Sequence, residues 1–108
     1  MESQYSDSKT DWGEIMKKML PFKDWSIQRI RAGRKFCTSR RTKYLEDDRV
    51  FAIVKIPLVI VRDFLYSLEG ADSPEEFTQV WKYIHNGNFD EKQQVFVHFG
   101  DFRGTFNE

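Results

Sequence analysis

The chain has 108 residues, the length of one domain, and its 40% hydrophobic and 16% aromatic content can fill a single core without metal or disulfide support. Its 17 basic and 17 acidic residues cancel, so net charge excludes no nucleic-acid role and the distribution of charge decides. One cysteine, Cys37, excludes an internal disulfide framework and fits a reducing compartment.

No apolar run approaches the roughly 20 residues that span a bilayer. The first residues, Met1 to Ser8, are polar and acidic, unlike a signal peptide. The expectation is a soluble, cytoplasmic protein with no membrane partner.

In chain order, residues 1–10 read as frayed. Asp11 with Glu14 predicts a helix start, Ile15, Met16, Met19 and Leu20 give it an apolar face, and Pro21 closes it. Phe22 fits either this segment or a brief first strand. A second helix is predicted from Asp24 as N-cap, with Trp25, Ile27 and Ile30 on its apolar side and Gly33 at the left-handed position beyond its end. The stretch from Lys35 to Thr42 then reads as extended.

Arg49 to Ile56 is rich in β-branched and aromatic residues and apolar on both alternations, which predicts a strand covered on both faces. Pro57 interrupts it, and Leu58 to Val61 reads as another strand. Asp63 to Gly70 reads as a transition segment that can hold a turn of helix. Ser73-Pro74-Glu75-Glu76 then supplies an N-cap, a first-turn proline and a capping-box glutamate. Phe77, Val80, Trp81 and Ile84 follow on one helical face, and Asn86-Gly87 stops the helix. Gln94 to Phe99 alternates as a closing strand, and residues 100–108 read as a tail. Short strands with distant partners suggest a compact mixed α+β barrel rather than a doubly wound sheet.

Charge is distributed unevenly. Arg29, Arg31, Arg34, Lys35, Arg40, Arg41 and Lys43 fall within 15 residues that hold no acid, whereas acids gather at Glu46-Asp47-Asp48 and from Glu69 onward. Such a run contacts phosphates or is simply a solvated face. Phe36 and Tyr44 are candidate base-stacking partners. In an extended strand Lys35, Cys37 and Ser39 face one side, and Phe36, Thr38 and Arg40 the other. Lys35 reaches the Thr38 hydroxyl, as a base for a nucleophile, only if a bend after Gly33 brings them together. Otherwise Thr38 is an ordinary strand residue and Lys35 a solvated cation.

The run from Ile30 to Arg40 (IRAGRKFCTSR) resembles the G-x-K-x-x-T-x-R signature of ASCH domains, of the PUA-like superfamily. Leu68 to Phe77 (LEGADSPEEF) resembles the family's E-G-…-E-E-F segment, and Trp81 to Gly87 followed by Val95 to Phe99 is similar to its helix and last strand. The similarity spans residues 19–102. It leaves 1–18 as an N-terminal extension or helix and 103–108 as a C-terminal tail. It implies a small PUA-like β-barrel with flanking helices and a basic cleft for RNA or a modified nucleoside, with no cofactor. It also implies ligand contacts from Gly33, Arg34, Lys35, Thr38, Arg40, Arg41 and Glu69.

Some ASCH proteins are amidohydrolases of N4-acetylcytidine, which implies an alternative in which Lys35 deprotonates Thr38 and Glu69 orients or protonates. A ribonuclease is a further form of that alternative. The chain departs from the family in carrying Asp47-Asp48 where Gly-Asp is usual, and in its Pro57 to Asp63 run.

His85, His98 and Cys37 lack metal-ligand spacing, so no zinc site is expected. Cys37 reads as buried, although its neighbour Lys35 could activate it. His85 reads as a helix-end residue, and Trp25 and Trp81 as core. A third reading is a protein-interaction domain, which requires Phe102 and Phe106 to be exposed side by side.

Overall fold

Strand β1 (Cys37–Arg40) and strand β2 (Val50–Pro57) both pair antiparallel with strand β3 (Gln94–Gly100), so the sheet order is β1-β3-β2. The computed structural model describes residues 19–106. The helix expected from Asp11 lies outside them. The other elements are helix α1 (Asp24–Arg31), helix α2 (Leu58–Ile60), a π turn (Val61–Leu65), helix α3 (Tyr66–Glu69), helix α4 (Pro74–Ile84) and a 3-10 turn (Arg103–Phe106). This is a small α+β fold. Among the described residues the sheet stays open, because neither β1 nor β2 has a second strand neighbour.

The strand that closes the sequence is thus the centre of the sheet. Val95 and Val97 are buried on one face and pack with Cys37, Leu58, Val61, Ala71, Phe77 and Trp81. On the other face His98 is fully buried and stands opposite Thr38 and Ile53. A second cluster joins Leu20, Ile30 and Phe102 with Phe22, Tyr44 and Val50. Phe102, expected in a tail, is therefore core at 1% exposure.

Two strand expectations are corrected. Strand β2 is not covered on both faces: it is an edge strand, with Phe51 79% and Val54 44% exposed. An irregular register between Val50 and Ala52 bends its start. Leu58 to Val61 is helical, not a strand. Pro57, with ψ 145°, ends β2 in an extended conformation and serves as N-cap. The amides of Leu58 and Val59 then donate to the Gln93 and Glu91 carbonyls, which satisfies groups that a helix start leaves orphaned. Leu58 and Val61, three residues apart, are both fully buried, a helical rather than alternating pattern.

Helix α4 forms where its caps place it. The Ser73 hydroxyl accepts from the Glu76 amide at 3.1 Å and Pro74 opens the first turn. The capping box is incomplete, since the Glu76 carboxylate accepts from the Asp72 amide at 2.6 Å and from Arg29 at 2.8 Å. Helix α1 starts one residue earlier than predicted, with Lys23 rather than Asp24 as N-cap. It ends as expected at Gly33, whose φ of +72° suits glycine. The amides of Gly33 and Arg34 donate back to Ile30 and Arg29, the paired bonds of a Schellman motif.

Candidate functional site

The site begins with the helical run of residues 58–69. Leu58, Val61 and Leu65 face the core, and Glu69 continues that line. Its carboxylate is consequently carried inside at 5% side-chain exposure. Gly70 turns the chain immediately afterwards at φ +102°, and a Cβ there would stand 2.8 Å from the Arg29 Cβ. Glycine is thus required twice, by backbone conformation and by contact with α1.

Strand β1 brings the partners. Alternation puts Lys35, Cys37 and Ser39 on one side, as the sequence predicts, and that side meets Glu69. Lys35 Nζ donates to Glu69 Oε1 at 3.1 Å and to the Glu69 carbonyl at 2.9 Å. Ser39 Oγ donates to Glu69 Oε2 at 2.6 Å. Each carboxylate oxygen has its own donor, which offsets the cost of burying the charge. The hydroxyl joined to the Lys35–Glu69 pair is therefore that of Ser39. Thr38, 4% exposed, lines the same cleft.

Above this floor lies a cleft of about 440 Å³. Phe22, Trp25, Tyr44, Phe77 and Trp81 form its walls, with Arg40, Arg41 and His85 also lining it. Trp25 is clamped: Arg29 lies 4.8 Å from its ring centroid, and its indole N–H donates to Glu76 at 3.4 Å. The Arg40 guanidinium lies 5.4 Å from Phe22 and 5.7 Å from Tyr44, and it donates to the Pro21 carbonyl at 2.5 Å. Burial lowers the Arg40 pKa, against which Tyr44 and Glu69 act. An arginine nevertheless remains a cation in proteins.

His85 stacks on Trp81 with ring centroids 4.0 Å apart. Its Nδ1 is 2.9 Å from the Trp81 carbonyl, which can only accept, so Nδ1 carries a proton and, in the neutral ring, Nε2 keeps a lone pair. Burial lowers the His85 pKa; the Trp81 carbonyl opposes this, and Arg41 and Arg40 reinforce it. The helix-end role expected of His85 is thus combined with a place on the cleft wall.

The basic run of the sequence is divided by folding. Arg29, Arg34 and Lys35 pair with Glu76, Asp72 and Glu69, all from one later segment. Lys43 lies 5.5 Å from the Phe96 ring. Arg40 and Arg41, which line the cleft, have no carboxylate partner among the described residues.

Of the residues expected to contact a ligand, Lys35, Thr38, Arg40, Arg41 and Glu69 line the cleft. Gly33 and Arg34 do not: Gly33 ends α1, and Arg34 is paired with Asp72 on the surface. Phe36 is 48% exposed outside the cleft, while Tyr44 belongs to its wall. Trp25 and Trp81, expected as core, serve both core and cleft. Ser39 was not singled out as a site residue, although its alternation with Lys35 carried the signal. Cys37 is fully buried, and burial raises its pKa far above the ordinary thiol value, with Glu69 adding to this and Lys35 opposing. It is a core residue and not a nucleophile.

No helix among the described residues is long and apolar enough to cross a membrane. Compared with protein-family models, curated proteins and solved structures, the chain matches none.

Proposed function

We propose that residues 19–102 form an ASCH-type, PUA-like domain that binds RNA or a modified nucleoside in this cleft, in the cytoplasm. The carrying observation is Arg40, a half-buried guanidinium with no carboxylate partner among the described residues, set at an aromatic-walled cleft. Partial burial of an unneutralised cation is costly, and an anionic ligand group such as a phosphate offsets that cost. The floor differs in kind: Lys35 and Glu69 neutralise each other, leaving hydrogen-bonding groups suited to the edge of an uncharged base. The cleft volume of about 440 Å³ falls within the usual small-ligand range of roughly 300–1,000 Å³. The open sheet with helices packed on one face is read here as the described part of a PUA-like barrel.

The test is binding of cytidine, N4-acetylcytidine and short RNA at several salt concentrations. RNA affinity should fall steeply with salt, and Arg40→Ala should weaken binding and reduce the logarithmic salt slope by about one. Association that ignores salt, or no association, removes the reading.

A second reading, a hydrolase acting on N4-acetylcytidine or on RNA, is supported by one observation. Ser39 presents a hydroxyl directly to a carboxylate held by a lysine, the base–nucleophile relation of covalent catalysis. Thr38, the hydroxyl implied by the ASCH resemblance, lines the same cleft. Product formation compared in Lys35→Ala, Thr38→Ala and Ser39→Ala tests this reading and identifies the hydroxyl. Absence of product from the folded wild-type protein eliminates it.

A further inference from the structure

The cleft does not end at Trp25. On the far side of this clamped ring lies a second, open compartment of about 630 Å³, between the start of α1 and the outer flank of α4. Phe22, Lys23, Trp25, Ser26, Val80 and Ile84 line both compartments, so the two adjoin.

The second compartment has its own chemistry. Phe77 and Trp81 turn inward from α4 to the core, while Gln79 and Tyr83, four residues apart, share a flank that lines the outer compartment. Tyr83 is 86% exposed, so most of its ring stands in solvent. It makes no ring stacking or hydrogen bond with another described residue. Lys23 is exposed and lies at the junction, lining both compartments.

A free aromatic ring, a cation at a junction and an open groove beside a second cleft are the elements that proteins use for single strands. Bases stack on aromatic rings and cations follow the linking phosphates. We infer that the ligand is a single-stranded oligonucleotide of at least two nucleotides, with one base in the inner cleft, the linking phosphate at Lys23 and the neighbouring base on Tyr83. This rests on the nucleic-acid reading of the inner cleft and extends it from a nucleoside to a strand.

The experiment is isothermal titration of the full chain with cytidine 5′-monophosphate and with 5′-phosphorylated dicytidine and tricytidine. Wild type, Tyr83→Ala and Lys23→Gln are compared; both positions are solvent-exposed, so the fold is retained and circular dichroism verifies it. Dicytidine should bind about ten-fold tighter than the mononucleotide or better, because one stacked base supplies a gain of that order. Tyr83→Ala should remove that gain while leaving mononucleotide affinity unchanged. Lys23→Gln should weaken dicytidine more than the mononucleotide and flatten its salt dependence.

Mononucleotide binding with no gain for dicytidine overturns the inference and leaves the inner-cleft reading standing. A gain that survives both substitutions also overturns it. Failure of all three nucleotides to bind overturns both readings together.

Discussion

Replacing the two ends of the Lys35–Glu69 pair separately and together distinguishes a pair kept for function from one kept for stability. In Lys35→Met the Glu69 carboxylate, at 5% side-chain exposure, keeps only the Ser39 hydroxyl as donor. In Glu69→Leu the Lys35 ammonium, at 2%, keeps only a backbone carbonyl. Stranding one member of a buried pair costs about 3–5 kcal/mol. For a domain of this size 1 kcal/mol moves Tm by about 4–8 °C, so each single variant should melt at least about 12 °C lower. The double variant buries no charge. Its main loss is the Ser39 hydroxyl left without an acceptor, about 1–3 kcal/mol. The double should therefore be more stable than either single, with a coupling of about 3 kcal/mol or more.

Urea titration followed by tryptophan fluorescence measures all four proteins, since Trp25 lies 5.8 Å from Lys35 Nζ. The double variant should fold and yet fail to bind cytidine or RNA. A double variant as unstable as the sum of the singles refutes the energetic reasoning. One that folds and binds like wild type refutes the role of the pair in the cleft.

Two further outcomes concern pH. Burial alone would raise the Asp47 carboxyl, but hydrogen bonds from Arg49 and from the Leu20 amide outweigh it and hold the pKa at about 2, against an ordinary 3.8. Its folded value is depressed, so the stabilisation is full above 3.8 and is lost as pH falls through about 2. Asp47→Asn should cost about 2 kcal/mol at neutral pH and remove that part of the acid transition in urea titrations; an unchanged acid limb contradicts this. Fully buried His98 bonds the Phe96 carbonyl through Nδ1 and accepts the Tyr44 amide at Nε2, so both ring nitrogens are engaged in the neutral form. Burial lowers its pKa below 6.5, with the Phe96 and Thr38 backbone opposing. Stability from His98 is full above 6.5 and declines as pH falls below it. Ring proton NMR should show His98 neutral below that pH; titration at or above 6.5 refutes the assignment.

Local chemistry determined much of this protein before any tertiary contact. Ser73, Pro74 and Gly33 set helix ends because caps and left-handed turns depend on a few adjacent residues. Strand alternation placed Lys35, Cys37 and Ser39 on one side, whereas Glu69 came forward only through the resemblance of Leu68 to Phe77 to the ASCH segment. Patterns that depend on neighbours misled. The Arg49–Ile56 run looked buried on both faces because an apolar edge strand has the same composition as a central one. Leu58 to Val61 is a short apolar run, for which strand and helix patterns are indistinguishable. Only the tertiary structure decided which cations are neutralised: Glu69, Asp72 and Glu76, each more than 30 residues beyond its partner, pair with part of the basic run and leave Arg40 and Arg41 lining the cleft. The same long-range packing gave the Lys35–Glu69 pair Ser39 as its hydroxyl, because residues 35 and 39 share a parity that residue 38 does not.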